Sequence, residues 1–297
     1  MKIKLAIGLF ILPSLYQPVS SQVSLSYPAT KKVNQVDDYF GTKVEDPYRW
    51  LEDDRSPETA EWVLAQNKLT ASYLESIPGR DKIKKRLTEV WNYARYSAPF
   101  REGEYYFFYK NDGIQNQSVL YYQKGLNGEP IVFLDPNKLS ADGTTSLSNF
   151  SVSHDGKYAA YGISKGGSDW NEFYVMETHS LKQLTDHLQW IKFSGVAWQG
   201  NGFYYSRYDV PKGGTELSNK NEFHKVYFHR IGSGQNEDEL VYHDKEHPQR
   251  NYGVSVTEDE KFAILYESES TSGTALYFKD LKKEDKDFHK IAEGFDY

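Results

Sequence analysis

The sequence predicts a mainly β protein assembled from repeated small sheets, and three observations carry that expectation. The chain holds 24 Tyr and 16 Phe in 297 residues, and such side chains fit a pleated, half-buried surface better than a helix. From about Asn92 the hydrophobic period is two. "EYYFFYKND", "SVLYYQK", "KYAAYGIS", "EFYVME", "GFYYSRYD", "KVYFHRI", "KFAILYES" and "ALYFKDL" read as short strands, with Asn-Asp-Gly and His-Asp-Gly turns among the residues between them. A coarser repeat lies above this: "SVSHDGKYAAYGIS", "AWQGNGFYYSRY" and "SVTEDEKFAILYES" share a small or polar start, an acidic or Gly turn and an aromatic-rich strand. The anchors Tyr105, Tyr158, Phe203 and Phe262 are spaced 53, 45 and 59 residues apart. Four-stranded units of roughly 40 to 50 residues are what a β-propeller blade needs. A two-sheet sandwich would also give many short strands.

The chain opens with Lys2 and Lys4 before an apolar run from Leu5 to Leu12, and Val19-Ser20-Ser21 offers small residues for cleavage before Gln22. That layout predicts a signal peptide over residues 1–21. Pro13, Gln17 and Pro18 interrupt it, well short of the about 20 apolar residues a membrane span requires. With no Cys, neither a lipoprotein anchor nor a disulfide is available. The expected mature chain is exported, periplasmic and soluble, with no membrane partner.

Next comes "DDYFGTKVEDPYRWLED", Asp37 to Asp53, where acids crowd around Tyr39, Phe40, Tyr48 and Trp50, rings that proteins bury. A helix follows. Ser56 can cap it, Pro57 suits its first position and Glu58 favours the positive end of its dipole. Trp62, Ala65, Leu69, Tyr73 and Ile77 share one face, and Pro78-Gly79 ends it. A shorter second helix is expected to turn Ile83, Leu87 and Trp91 inward. Residues 92–297 then hold about four blade-like units, the lower limit for a closed ring. Because the sequence stops at Phe295-Asp296-Tyr297 without a further helix, a truncated chain is expected.

Chemistry is sparse. A net charge of −7 with no basic stripe argues against nucleic acid. Gly162-Ile163-Ser164-Lys165-Gly166 matches G-x-S-x-G, but a nucleophile elbow requires strand, turn and helix, and "SDWNEFYVME" alternates like another strand. Ser164 therefore reads as part of a hairpin. His243 and His247 are four apart, but Pro248 follows at once and no H-E-x-x-H order is present, so a loop is favoured over a metal site. The pairs Asp37-Asp38 and Asp53-Asp54 read as turn and helix-start residues rather than acid–base carboxylates.

Taken together, "DDYFGTKVEDPYRWLED", "WVLAQNKLT", "RLTEVWNYARYSAPF", "GIQNQSVLYYQKGL", "FLDPNKLSADGTTSL", "YGISKGGSDW" and "IKFSGVAW" resemble the prolyl oligopeptidase family of serine peptidases, in family order over nearly all of residues 27–297. "QNQSVLY" and "GSDW" favour the prolyl oligopeptidase branch over oligopeptidase B and the dipeptidyl peptidases. The resemblance implies an α/β-hydrolase domain, assembled from both chain ends, capped by a seven-bladed propeller. Residues 22–91 would be the hydrolase domain's N-terminal strap and helices, and 92–297 a truncated propeller of about four of the seven blades. The strap's four aromatics would pack against the hydrolase core. The Ser, Asp and His of the triad would all lie downstream of Tyr297, leaving no catalytic residue here.

Phe193 of "IKFSG" matches a Phe that the family turns toward the central cavity near the substrate, the alternative being a core ring within a blade. Val241 stands where some members carry a cavity-facing Cys, so thiol sensitivity is not expected. The resemblance implies no cofactor, and the residues themselves lead to no expected metal site. It implies hydrolysis of short peptides on the carboxyl side of proline through an acyl-enzyme, with the propeller screening substrates by size. The partners would be short proline-containing peptides and the hydrolase domain of the same parent chain. The rival reading is a non-catalytic exported β-propeller that binds a peptide or glycan.

Overall fold

Phe40 and Gly41 both take positive φ, 55° and 89°, the pair of conformations that a two-residue type I′ hairpin demands. They close a ribbon of β1 (Val36–Tyr39) and β2 (Thr42–Glu45) in a computed structural model that describes residues 25–213, 216–270, 272–283 and 287–295. The expected signal peptide, residues 1–21, lies outside the described residues. The chain divides into two compact units, Met1–Arg80 and Asp81–Tyr297, which are taken one at a time.

In the first unit α1 (Pro57–Ser76) starts as its sequence dictates: Ser56 caps it by accepting the Thr59 N–H at 3.0 Å, with Pro57 in the first turn. The extended segment before the ribbon is tied down by two indoles. Trp50 donates Nε1–H to the Lys31 carbonyl at 3.0 Å, and Trp62 donates to Thr30 Oγ1 at 2.9 Å. Arg49 binds Asp46 and Asp37, so the acids of the strap have partners or water. Its rings mostly do not. Tyr39, Tyr48 and Phe40 are exposed, Phe40 completely, while Trp50 is half-buried.

The second helix, α2 (Arg80–Trp91), forms where expected but buries nothing among the described residues: Ile83, Leu87 and Trp91 are all more than half exposed. The inward face predicted from their spacing is a correction, because periodicity identifies an apolar stripe without supplying a surface to cover it.

Beyond α2 the second unit is a run of meanders. β3 (Arg95–Tyr96) and β4 (Phe100–Glu102) form one broken inner strand against β5 (Tyr105–Asn111), followed by β6 (Val119–Lys124) and β7 (Ile131–Leu134). The next sheet is β8 (Thr145–Val152), β9 (Tyr158–Lys165), β10 (Asn171–Glu177) and β11 (Gln183–Ile191). Then come β12 (Ala197–Gln199), β13 (Gly202–Arg207), β14 (Lys225–Arg230) and β15 (Glu239–His243), and finally β16 (Arg250–Val256), β17 (Phe262–Glu269), β18 (Ser272–Asp280) and β19 (His289–Gly294).

Every sheet is antiparallel and ordered as its strands run in the chain. The sequence anchors Tyr105, Tyr158, Phe203 and Phe262 all fall at the start of the second main strand, just past the hairpin. The residue that turns the corner is Gly103, Gly156 or Gly200 in the first three sheets, at φ between 54° and 71°, and Glu260 at φ 50° in the fourth. Glu260 is held in that left-handed bend by accepting the Gly200 N–H of the neighbouring sheet at 3.0 Å.

The core lies between sheets rather than inside any one of them. Phe107, Leu120, Tyr122 and Phe133 meet Ala159, Tyr161 and Met176 across the first seam. Phe173, Val175, Leu188 and Ile191 meet Trp198, Phe203 and Tyr205 across the second. Ala197, Tyr204 and Val226 meet Tyr252 and Leu265 across the third. Each sheet is thus a slab whose two apolar faces need neighbours, which is the physical content of a repeat architecture.

Candidate functional site

The meander fixes which loops share a face. In every sheet the tight turn between inner and second strand lies at one end. The next hairpin loop, and the crossing from the outer strand to the following sheet's inner strand, lie at the other. That second end therefore gathers Lys165–Asn171, Lys192–Val196, Tyr208–Gly213, Glu216–His224 and Asp244–Gln249 from the second, third and fourth sheets.

Three bulky aromatics on this end have left-handed backbones: Trp190 at φ 63°, Phe193 at φ 51° and Phe223 at φ 60°. Such a conformation costs a residue with a Cβ roughly 1–2 kcal/mol and concentrates where structure serves a ligand. Trp190 owes it to a β-bulge. Asn171 pairs with Ile191 but Phe173 with Leu188, so β11 carries one residue more than β10. Phe193, the residue singled out from the sequence, sits on the crossing to the third sheet and is 63% exposed. It displays its ring rather than packing it into a blade.

Behind Phe193 the surface is braced. Trp170 meets Trp190 edge to face at 5.7 Å and Tyr208 at 6.2 Å, and its Nε1–H is given to the Glu216 carbonyl at 2.8 Å. Tyr208 packs tilted against His224, ring centroids 4.5 Å apart, and donates its hydroxyl to Asn251 at 2.6 Å. His224 donates Nε2–H to the Lys192 carbonyl and accepts the Tyr252 N–H on Nδ1, both at 3.0 Å. Acceptance at Nδ1 needs the neutral ring. Burial first of all lowers its pKa, to about 4. Trp170 and Trp190 also wall a cavity of about 140 Å³ beside Asn171, whose Oδ1 is buried without a partner.

The other sequence candidates are placed plainly. Ser164 ends a strand, not an elbow: Gly166 and Gly167 turn the chain at φ 62° and 73° straight into β10, and the Ser164 hydroxyl donates to the Ser168 carbonyl within the hairpin. His243 closes β15, while His247 lies in the following turn on Asp244, at 2.7 Å. Among the described residues no group of His, Asp or Glu is arranged to hold a metal ion, and no helix is long and apolar enough to cross a membrane. Val241 lies in β15 and packs on the third seam.

Lys192, Trp170 and Trp190 were not singled out from the sequence. Their only signal was the density of Trp in "SDW" and "QWIKF", which becomes a site only once the loops share one end.

Four consecutive antiparallel meanders, with outer-to-inner crossings and separate sheets, define a β-propeller whose ring is not closed. The family profile described as "Prolyl oligopeptidase, N-terminal beta-propeller domain" matches residues 27–297. A prolyl endopeptidase of Elizabethkingia miricola is 48% identical over 296 residues, 99% of this chain and 41% of that protein, and one from Elizabethkingia meningoseptica is 48% identical with the same coverage. Among solved structures, prolyl oligopeptidase B of Galerina marginata, bound to a 35mer hydrolysis and macrocyclization substrate, aligns with TM-score 0.74 at 31% identity, over 92% of this chain and 41% of that one. A structure from a study of two prolyl endopeptidases aligns with TM-score 0.79 at 30% identity, over 91% of this chain and 40% of that one. The chain belongs to the prolyl oligopeptidase family. It spans 41% of the length of the prolyl endopeptidases it matches.

Proposed function

We propose that the chain is the substrate-screening propeller part of an exported serine endopeptidase that cleaves short peptides on the carboxyl side of proline, and that the blades by themselves do no chemistry. The observation that carries this reading is the geometry at Ser164. Acyl-enzyme hydrolysis needs a serine whose proton passes to a positioned histidine, with donors aimed at the developing oxyanion. The hydroxyl of Ser164 is instead spent on a carbonyl of its own hairpin.

On this reading residues 22–91 are the strap and helices of the hydrolase domain. The exposed rings of Tyr39, Phe40 and Tyr48, and the uncovered face of α2, are the surfaces that domain would cover. Phe193 faces the peptide, and the triad lies downstream of Tyr297. The 48% identity to named prolyl endopeptidases supports the assignment.

The test is a fluorophosphonate probe and a fluorogenic Gly-Pro substrate. Residues 22–297 are expected to give neither labelling nor cleavage, and the same chain continued through its hydrolase domain to give both. Labelling of the short chain that Ser164→Ala abolishes would sink the reading. Export is tested separately: expressed with its own leader in a Gram-negative host, the periplasmic chain should begin near Gln22.

A further inference from the structure

Lys192 is a buried cation that the fold keeps without an ion pair among the described residues. The residue is only 7% exposed, yet among the described residues its ammonium makes no ion pair and no hydrogen bond. Its Nζ lies 4.0 Å over the ring of Trp170. Burial lowers its pKa, and the nearby charge of Asp169 offsets only part of that. A cation–π contact returns part of the desolvation penalty of an ammonium but leaves its N–H donors unused. Among the described residues the nitrogen is nevertheless not one of the fully sealed polar atoms that lack a partner, so part of its surface is uncovered.

The mounting is rigid. The Lys192 carbonyl is clamped by His224, which is in turn held by the backbone of Tyr252 in the fourth sheet. Trp170 is braced by Trp190 and Tyr208. The next residue along the chain is the displayed, left-handed Phe193.

We propose that Lys192 is a specificity-determining residue that recognises a carboxylate on the bound peptide, supplied by its C-terminus or by an acidic side chain. This rests on the peptide-binding reading above and deepens it. An arriving carboxylate completes a site already dehydrated and oriented, so the pair is stronger than one formed between mobile surface charges. Phe193 gives the same peptide an apolar surface beside the charge.

Affinities of the full chain are measured by calorimetry at neutral pH for two peptide pairs, one proline-containing sequence as free acid and as C-terminal amide, and one carrying Glu or Gln inside an amidated peptide. The first pair reports the terminal carboxylate and the second the side chain. The expected result is about tenfold tighter binding of the acid in one pair, reduced to less than about twofold in Lys192→Met. Lys192→Gln, which keeps a polar end, should do the same and guards against a Met variant that fails to fold. Equal affinities within both pairs for the wild-type chain would overturn the role of Lys192 alone. Retention of the preference in both variants would also overturn it. Failure of every peptide to bind would overturn both this role and the peptide-binding reading.

Discussion

His229 on β14 donates its Nε2–H to Asp186 on β11 at 2.9 Å, across the seam between the second and third blades, and neither side chain is exposed. Nδ1 is taken by Asp238 at 2.7 Å. Asp238 also accepts the Tyr205 hydroxyl at 2.7 Å, and Asp186 the Gly232 N–H at 2.7 Å. A ring whose two nitrogens both face carboxylates must donate from both, so it is the imidazolium. Burial alone would lower its pKa, but the hydrogen bonds and charges of Asp186 and Asp238 outweigh that and raise it to about 9.

With its folded pKa above the unfolded value, His229 contributes stability that is complete below about pH 6.5 and is lost as pH rises through about 9. The wild-type unfolding free energy, from urea titrations, should fall across that window at a limiting slope of about 1.4 kcal/mol per pH unit. His229→Asn should cost about 3–5 kcal/mol near neutral pH by leaving two buried carboxylates unpaired, and its deficit should narrow toward pH 9. A deficit that does not change with pH would contradict the charged ring.

His224 works with the opposite sign. Its folded pKa, lowered to about 4, lies below the unfolded value, so the unfolded chain binds the extra proton first and stability is lost as pH falls from about 6.5. His224→Gln should lose about 1–3 kcal/mol at pH 7 from its broken bonds and show a shallower acid limb than wild type. Parallel acid limbs in urea titrations would refute this.

On the proposed peptide-facing role of Phe193, one substitution there should separate stability from binding. Phe193→Gly removes a left-handed Cβ but adds chain entropy, so its effect on folding should lie between neutral and about 1 kcal/mol stabilising. Peptide affinity should fall by about tenfold or more, as expected for an aromatic anchor. A large drop in melting temperature would show that the ring is structural instead.

Phe40 is fully exposed at φ 55°, and Asn tolerates that conformation with a polar side chain. Phe40→Asn in the isolated chain should leave melting unchanged or raise the strap's stability by about 0.5–1 kcal/mol. It should also lower self-association measured by static light scattering. Unchanged scattering would locate the adhesive surface elsewhere.

How much of this could be read beforehand differs by level. Tyr105, Tyr158, Phe203 and Phe262 marked the blades because each follows a turn and starts a strand, both of which are local properties. The Ser56 cap was legible for the same reason. Ile83, Leu87 and Trp91 misled because an apolar stripe says nothing about what lies opposite. The His229–Asp186 pair, 43 residues apart, and the contact of Lys192 with Trp170 depend on blade stacking and on one bulge in β11. Nothing in the sequence marks Trp190 for a left-handed backbone, since that is imposed by the ladder around it.

Because each blade uses only consecutive strands, blades can assemble in the order in which the chain is made. A ribosome adding 5–20 residues per second releases a blade of roughly 50 residues every 3–10 s. Hairpins form in microseconds, so each meander can assemble long before the next emerges. Its outward slab face must then wait, uncovered, for the following blade. The nascent ring always carries one such open face, and the second seam closes only when β14 delivers His229 to Asp186. A pause at any point before the next blade is complete would therefore prolong the sticky interval.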